Sequence, residues 1–457
     1  MNARLAGADS RFAPIGSTAA GLVAGQSGAA ILIALWVALL LISFAREPIG
    51  SSAMYQGKFL IALPLSAWFL LHLPRTKSTS GDASVSGLNL LFAVWMFVGV
   101  LSILATQHPF SGLALIGTYL LFFTLTFHIL PSYLNSDAAH QWYTTIFFWS
   151  VIAVLAALVI LARGDALEFV NHEGRIRYAG YFRHPNFVGY FFFLASAVGI
   201  RMWLFTGRRL FLLTIPIAAF ILFEASSRTA LAVLLLLPAT LLVVTSLASV
   251  KSALRSAMPV VLWTGAMVAS VGALLGLLKL PSVSQLNELL SSRIERWSEA
   301  ISEALSVSIW LGQGLGREGL GSVSVDSFFA STLVQTGMLG LLALVAFLVA
   351  ALWSMKPRSS TPPGRDGWAA WFPFCLLASL VVYSLFENVL FSLGNPLSLY
   401  VWSEVGLALR RREAPSDVAA EHGAQSLNLG AGVWRETPVA PVSAEGTSKG
   451  ALYDPGA

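Results

Sequence analysis

Three short stretches gather charge and polarity inside an otherwise apolar chain. The first reads Arg175-Ile-Arg177-Tyr-Ala-Gly180-Tyr-Phe-Arg183-His184-Pro185-Asn186. Its guanidinium groups offer forked donors to phosphate oxygens and cannot lose their charge. Pro185 favours an extended His184 and can open a helix whose first amides face the same side. A phosphate site is one reading of Arg177, Arg183 and His184. The other is an interfacial loop whose basic residues meet lipid headgroups.

The second stretch is Glu224-Ala-Ser226-Ser227-Arg228-Thr229-Ala230, with apolar sequence on both sides of Arg228. Charge at such a place is costly unless paired or used. Ser226 or Ser227 can cap the helix that follows, and Glu224 is the partner that would neutralise Arg228. The third stretch is the loop 279–325. Leu286, Leu290, Ile294, Trp297, Ile301 and Leu305 recur at helical spacing, which predicts an amphipathic helix. Arg293 and Arg296 share a neighbouring face of it, either as ligands or as a solvated charged face. Gly314 to Gly319 formally matches GxGxxG, but no strand precedes it, so it is not a nucleotide signature. It reads as a flexible turn that brings Asp326 to a cavity. Asp326 is then a general base, an orienting partner for an arginine, or a helix cap. Glu387 is a further carboxylate of this kind, and Glu404 lies in apolar sequence with no evident partner. The histidines at 72, 108, 128 and 140 lack metal-ligand spacing.

These groups must be positioned by membrane helices. The chain has 457 residues, 56% hydrophobic and only 11% charged, where a soluble domain carries about a quarter charged residues. That composition excludes one or two soluble domains. A net charge of +5 is too mild to suggest nucleic acid. The one cysteine, Cys375, excludes an intrachain disulfide. Twelve spans are predicted, at about 28–45, 59–73, 88–106, 112–130, 143–162, 186–204, 210–224, 229–247, 257–278, 328–354, 367–386 and 396–409. Residues 1–27 and 413–457 read as mobile tails without periodicity. No cleavable signal peptide is expected, because the first apolar segment is long enough to span and others follow it. Arg4, Arg75, Arg208, Arg209, Lys251, Lys356 and Arg410 to Arg412 fall in alternate loops, which places both termini in the cytoplasm. The outward cations concentrate in 163–185, at Arg228 and in 279–325. The positive-inside rule opposes them there, so either a polyanionic ligand or local pairing with glutamates must offset them.

In this order the pieces resemble the O-antigen ligase/polymerase superfamily of bacterial envelope glycosyltransferases, over about residues 170–350. Arg177-x-x-Gly180-x-Phe182-x-His184-Pro185-Asn186 is similar to the family's loop motif. Ser227-Arg228-Thr229-Ala230 resembles its S-R-[GT]-A segment. Arg293-x-x-x-Trp297 with Leu311-Gly312-x-Gly314 is similar to its R-x-x-x-W and G-x-G run, and the segment from Asp326 to Gly340 resembles its last motif. Members that ligate O-antigen onto lipid A core carry His-Asn where this chain has Asp326-Ser327, which favours the Wzy-type polymerase branch.

The resemblance implies a GT-C-like enzyme of the bacterial inner membrane, with a long periplasmic loop between spans nine and ten. It implies a donor and an acceptor glycan on undecaprenyl pyrophosphate, no metal or other cofactor, and a chain-length regulator as a further partner. Arg177, Arg183, His184, Arg228 and Arg293 would hold the pyrophosphate, while Asp326 would orient or deprotonate the attacking hydroxyl, with Arg228 assisting catalysis. The product is O-antigen or exopolysaccharide. The alternatives are a ligase acting on lipid A core or protein and, from another class, a twelve-span transporter.

Overall fold

Apolar runs this long have no polar alternative to intrahelical hydrogen bonds inside a bilayer, so they fold as helices. The computed structural model describes residues 83–104, 106, 109–134, 137–161, 169–172, 175–178, 182, 184–247, 293–315, 325–357 and 364–413. The expected spans 28–45, 59–73 and 257–278, both expected tails up to the last helical residue, and Arg183 lie outside them.

The described residues fold into α1 (Ala83–Ile103), α2 (Pro109–Tyr133), α3 (Asp137–Leu161), α4 (Pro185–Thr206), α5 (Thr214–Glu224), α6 (Arg228–Leu247), α7 (Arg293–Val307), α8 (Phe328–Met355), α9 (Arg365–Ser384) and α10 (Pro396–Glu413). The other nine expected spans each fall on one of these helices. Among the described residues, six helices, α1, α2, α4, α6, α8 and α9, have the length and apolarity to cross a membrane. The chain is therefore a multi-pass membrane protein. The expected span 210–224 is divided: a 3-10 turn at Arg209–Leu213 precedes α5, which has only 11 residues. At about 1.5 Å per residue, α5 alone is shorter than a bilayer core.

One short hairpin departs from the helical pattern, β1 (Phe169–His172) pairing antiparallel with β2 (Arg175–Tyr178), with Val170 opposite Arg177. The expected loop 163–185 thus contains ordered strand pairing.

Helices α4 and α9 are buried along most of their length, while α1, α2, α6 and α8 keep an open apolar side. Phe97, Phe220, Leu342 and Trp353 all face outward, as lipid-facing residues should. The α4, α6 and α9 helices meet at Gly189. A Cβ there would sit 2.5 Å from the Tyr383 hydroxyl and 2.9 Å from Ser227 Oγ, so the close approach requires glycine.

Helix α8 is broken at Gly337 (φ 65°, ψ −165°), a conformation open essentially to glycine. An unbroken helix would pair the Met338 amide with the Val334 carbonyl, and the Leu339 amide with the Gln335 carbonyl. Instead, residues 309–314 take all four groups. Gln313 N donates to Val334 O (2.9 Å) and Gly314 N to Gln335 O (3.1 Å). Met338 N donates to Ile309 O (2.9 Å) and Leu339 N to Trp310 O (3.3 Å). Unpaired backbone groups in an apolar setting cost several kcal/mol, on the order of 2–7 each, and this clamp removes that cost. Gly312 and Gly314 both have positive φ, and a side chain on Gly312 would strike the Val334 carbonyl. Residues 309–314 thus form a clamp tying the end of α7 to the break in α8, while 316–324 of the expected flexible turn lie outside the described residues.

Between α9 and α10 the chain runs through the interior without helix. Phe391 stacks on Trp402 (4.7 Å) and touches Trp95 (5.2 Å) and Phe328 (5.9 Å). Side chains satisfy the exposed carbonyls: Trp402 Nε1 donates to Leu390 O (2.7 Å) and Ser398 Oγ to Val389 O. Irregular backbone in a membrane protein is tolerated where protein surrounds it.

Candidate functional site

At the end of the bundle where α4 begins and α9 finishes, α4 and α7 converge on one carboxylate just beyond α9. His184 is extended (φ −147°, ψ 141°), caps α4 through Nδ1, which accepts from Asn186 N (3.1 Å), and is followed by Pro185 at the first helical position. An accepting Nδ1 places the proton of the neutral ring on Nε2. The cap fixes the first turn of α4, so that Asn186 and Tyr190 lie four residues apart on one face. Both reach Glu387, just beyond α9. Asn186 Nδ2 donates to its two oxygens at 3.0 and 3.1 Å, and the Tyr190 hydroxyl donates at 2.8 Å.

Arg293, the first residue of α7, completes the cluster. Its Nη2 pairs with Glu387 Oε1 at 2.8 Å and its Nη1 donates to Phe386 O at 2.8 Å. Its Nε lies 3.6 Å from Asp326 Oδ2, and Arg296 Nη2 lies 4.0 Å from the same oxygen. Trp297, one turn along α7, packs on Phe386. The side chains grade outward: Glu387 is 7% exposed, Arg293 13%, Asp326 and Arg296 31%. A buried anion thus anchors a cation, which faces a more open carboxylate beside a second cation.

Burial pushes the Glu387 carboxyl above its ordinary value, against the pull of the Arg293 guanidinium and the Tyr190 hydroxyl. Burial alone would lower Arg293, but the adjoining Glu387 carboxylate overrides it and holds the guanidinium above its usual value. Asp326 does not cap α8, because Ser327 takes that role by accepting from Ala330 N at 3.2 Å. Among the described residues no group of three His, Cys, Asp or Glu is placed to hold a metal ion.

The chain matches no protein-family model and no curated protein.

Of the residues singled out in the sequence, Arg293 meets both Asp326 and Glu387, and His184 is linked to Glu387 through Asn186. Both Nη atoms of Arg293 are engaged by protein acceptors, so its charge, rather than an open fork, is what it presents. Arg228 begins α6 at this same end, next to Ser227, which lies close to Gly189 and Tyr383, and is exposed. Ser226, just before it, has a positive φ of 50°. Arg177 lies on β2, which packs near α5. Asn186 and Tyr190 went unread as functional groups. The available signal was their four-residue spacing directly after a His-Pro helix start.

At the opposite end lies a second buried cluster. Glu404 pairs with His140 Nε2 (2.7 Å) and Arg201 Nη2 (3.3 Å), joining α10 to α3 and α4. The Arg201 guanidinium also lies over the rings of Phe205 and Phe372 at 4.6 and 5.3 Å. Glu404, whose sequence gave no partner, is thus ion-paired. Arg201 is buried within α4.

Proposed function

We propose that this protein polymerises oligosaccharide repeat units carried on undecaprenyl pyrophosphate, at the periplasmic face of a bacterial inner membrane with both termini in the cytoplasm. The observation that carries the reading is the outward-graded cluster of Glu387, Arg293, Asp326 and Arg296, at the end of the bundle where Arg228 also stands. A hydroxyl of the acceptor sugar would attack the anomeric carbon of the donor glycan. One C–O bond forms there, the bond from that carbon to the pyrophosphate oxygen breaks, and Asp326 takes the hydroxyl proton. The pyrophosphate leaves with the electron pair, and preorganised cations stabilise the growing charge. Arg228, Arg296 and the loop cations Arg177 and Arg183 would face that group, while Arg293, held by Glu387, supplies field and orients Asp326. Pyrophosphate leaves readily, so the scheme uses no metal and no nucleotide sugar.

Deleting the protein and sizing lipid-linked and surface glycans on a gel tests this. Loss of a polymerase leaves single repeat units. Long chains stranded on the carrier lipid would instead indicate a ligase acting on lipid A core or protein, and an unchanged ladder would reject both. Uptake of labelled solute by proteoliposomes would indicate a transporter.

A further inference from the structure

The loop 279–325 changes character where α7 ends. Within α7, Glu295, Glu299 and Glu303 are exposed, as on a helix that meets water. From Ala304 to Gly316 no residue is ionisable, and Val307, Ile309 and Trp310 are exposed. An apolar stretch left open at the bend of a charged loop marks an interaction surface.

Its neighbours show what covers it. Trp310 adjoins Leu339 through the bond between their backbones. Leu339 begins an outward stripe on α8, continued by Leu342, Val345, Val349 and Trp353. Lys356 Nζ lies over the Trp353 ring at 5.1 Å, a pairing suited to a membrane boundary. From Trp353 to Leu339 the helix rises about 21 Å, short of the roughly 30 Å of a hydrocarbon core. Leu339 therefore lies inside the apolar layer, with Ile309 and Trp310 beside it near the far edge. On the other side, Gly314 lies against Thr106, and Leu315 N donates to Ser102 Oγ at 3.2 Å. This is the turn between α1 and α2, where Leu104 and Phe110 are 84% and 85% exposed. Leu104 ends the outward stripe of α1 formed by Leu90, Val94, Phe97 and Val100. Two lipid-facing stripes thus run into one apolar collar.

The backbone of the collar is fitted for that place. Leu311 N donates to Ser308 Oγ (3.1 Å) and Gly312 N to Ser308 O (3.0 Å). The next three amides go to Val334 O, Gln335 O and Ser102 Oγ, so every amide from Leu311 to Leu315 is paired. A loop in water has no need of this, whereas non-helical backbone at membrane depth does.

We infer that Val307 to Trp310, with Leu104 and Phe110, form a membrane-docking collar that sits in the headgroup–acyl boundary of the bilayer face opposite Lys356, with phospholipid as its partner. The collar holds the end of α7 at the membrane surface, while Arg293 at the start of α7 enters the charged cluster. The inference depends on no reading of the reaction.

Nitroxide depth measurement on the full chain in liposomes tests this, with Cys375→Ala as background and single labels at Ile309→Cys and Phe110→Cys. Val349→Cys is the lipid reference and Glu303→Cys the water reference. The expected result at 309 and 110 is contact with oxygen and exclusion of a nickel chelate, at a depth of about 5–10 Å. Nickel contact there equal to that at 303 overturns the inference. Exclusion of both reagents also overturns it, since protein rather than lipid would then cover the collar. The unsubstituted chain gives an independent check. A phospholipid with a diazirine at the top of its acyl chain, photolysed in nanodiscs, should leave adducts on Ile309 or Trp310; adducts on α8 with none on these two residues overturn the inference as well.

Discussion

The carboxylates Glu387 and Asp326 do different work because one is buried and held by three donors while the other stands open beside two cations. Glu387→Ala leaves Arg293 without its buried partner, a loss on the order of 3–5 kcal/mol for an ion pair broken on one side; thermal unfolding in detergent would show it as a fall in melting temperature. The isosteric Glu387→Gln isolates the titration. Because the folded carboxyl is raised above its unfolded value, the folded chain binds the proton more readily. Its stabilising contribution is then fully present below the unfolded value and is lost as pH rises through the folded one. The melting temperature of the wild type relative to Glu387→Gln should therefore be higher at about pH 5 than at about pH 8; a constant difference would contradict the burial argument. Arg293, Arg228 and Asp326 were legible in the sequence because charge stands out in an apolar chain. Asn186 and Tyr190 were not. Their four-residue spacing after the His-Pro start puts them on one face, but the acceptor they share lies 201 and 197 positions away, where local pattern does not reach.

Among elements, the broken helix α8 was the least legible. Glycine is ordinary in membrane helices, so Gly337 and Gly340 gave no sign of a break, and the Gly312 to Gly314 run gave no sign of the partner it clamps. Gly337→Ala should cost at least about 1–3 kcal/mol from the backbone conformation alone, since its Cβ would also strike the Trp310 carbonyl. Measured by hydrogen exchange, protection should fall at Met338 and Leu339 and also across 309–314, because both sides share the same bonds. Loss confined to α8 would mean the clamp is not coupled to the break. By contrast, α7 was readable from periodicity and α4 from its His-Pro start, both being local signals.

On the scale of the whole molecule, hydropathy located the described helices, but it could not show that α4 and α9 are central or that α5 is short. The buried His140, Arg201 and Glu404 pin α10 to α3 and α4 at the end away from the charged site. Glu404→Leu should destabilise the bundle by about 3–5 kcal/mol by stranding Arg201, yet leave chain elongation intact in the fraction that folds. Lost elongation in that fraction would show that the two ends are coupled.

The central claim is that Asp326, oriented by Arg293, takes the proton of an attacking sugar hydroxyl without help from a metal. The most direct measurement is elongation by the purified chain in liposomes supplied with lipid-linked repeat unit and excess EDTA, product length being read on a gel. The account predicts chain growth by the wild type and its loss, by about a hundredfold or more, in Asp326→Asn at equal abundance and melting temperature. No growth without divalent metal, or growth undiminished in Asp326→Asn, would contradict it.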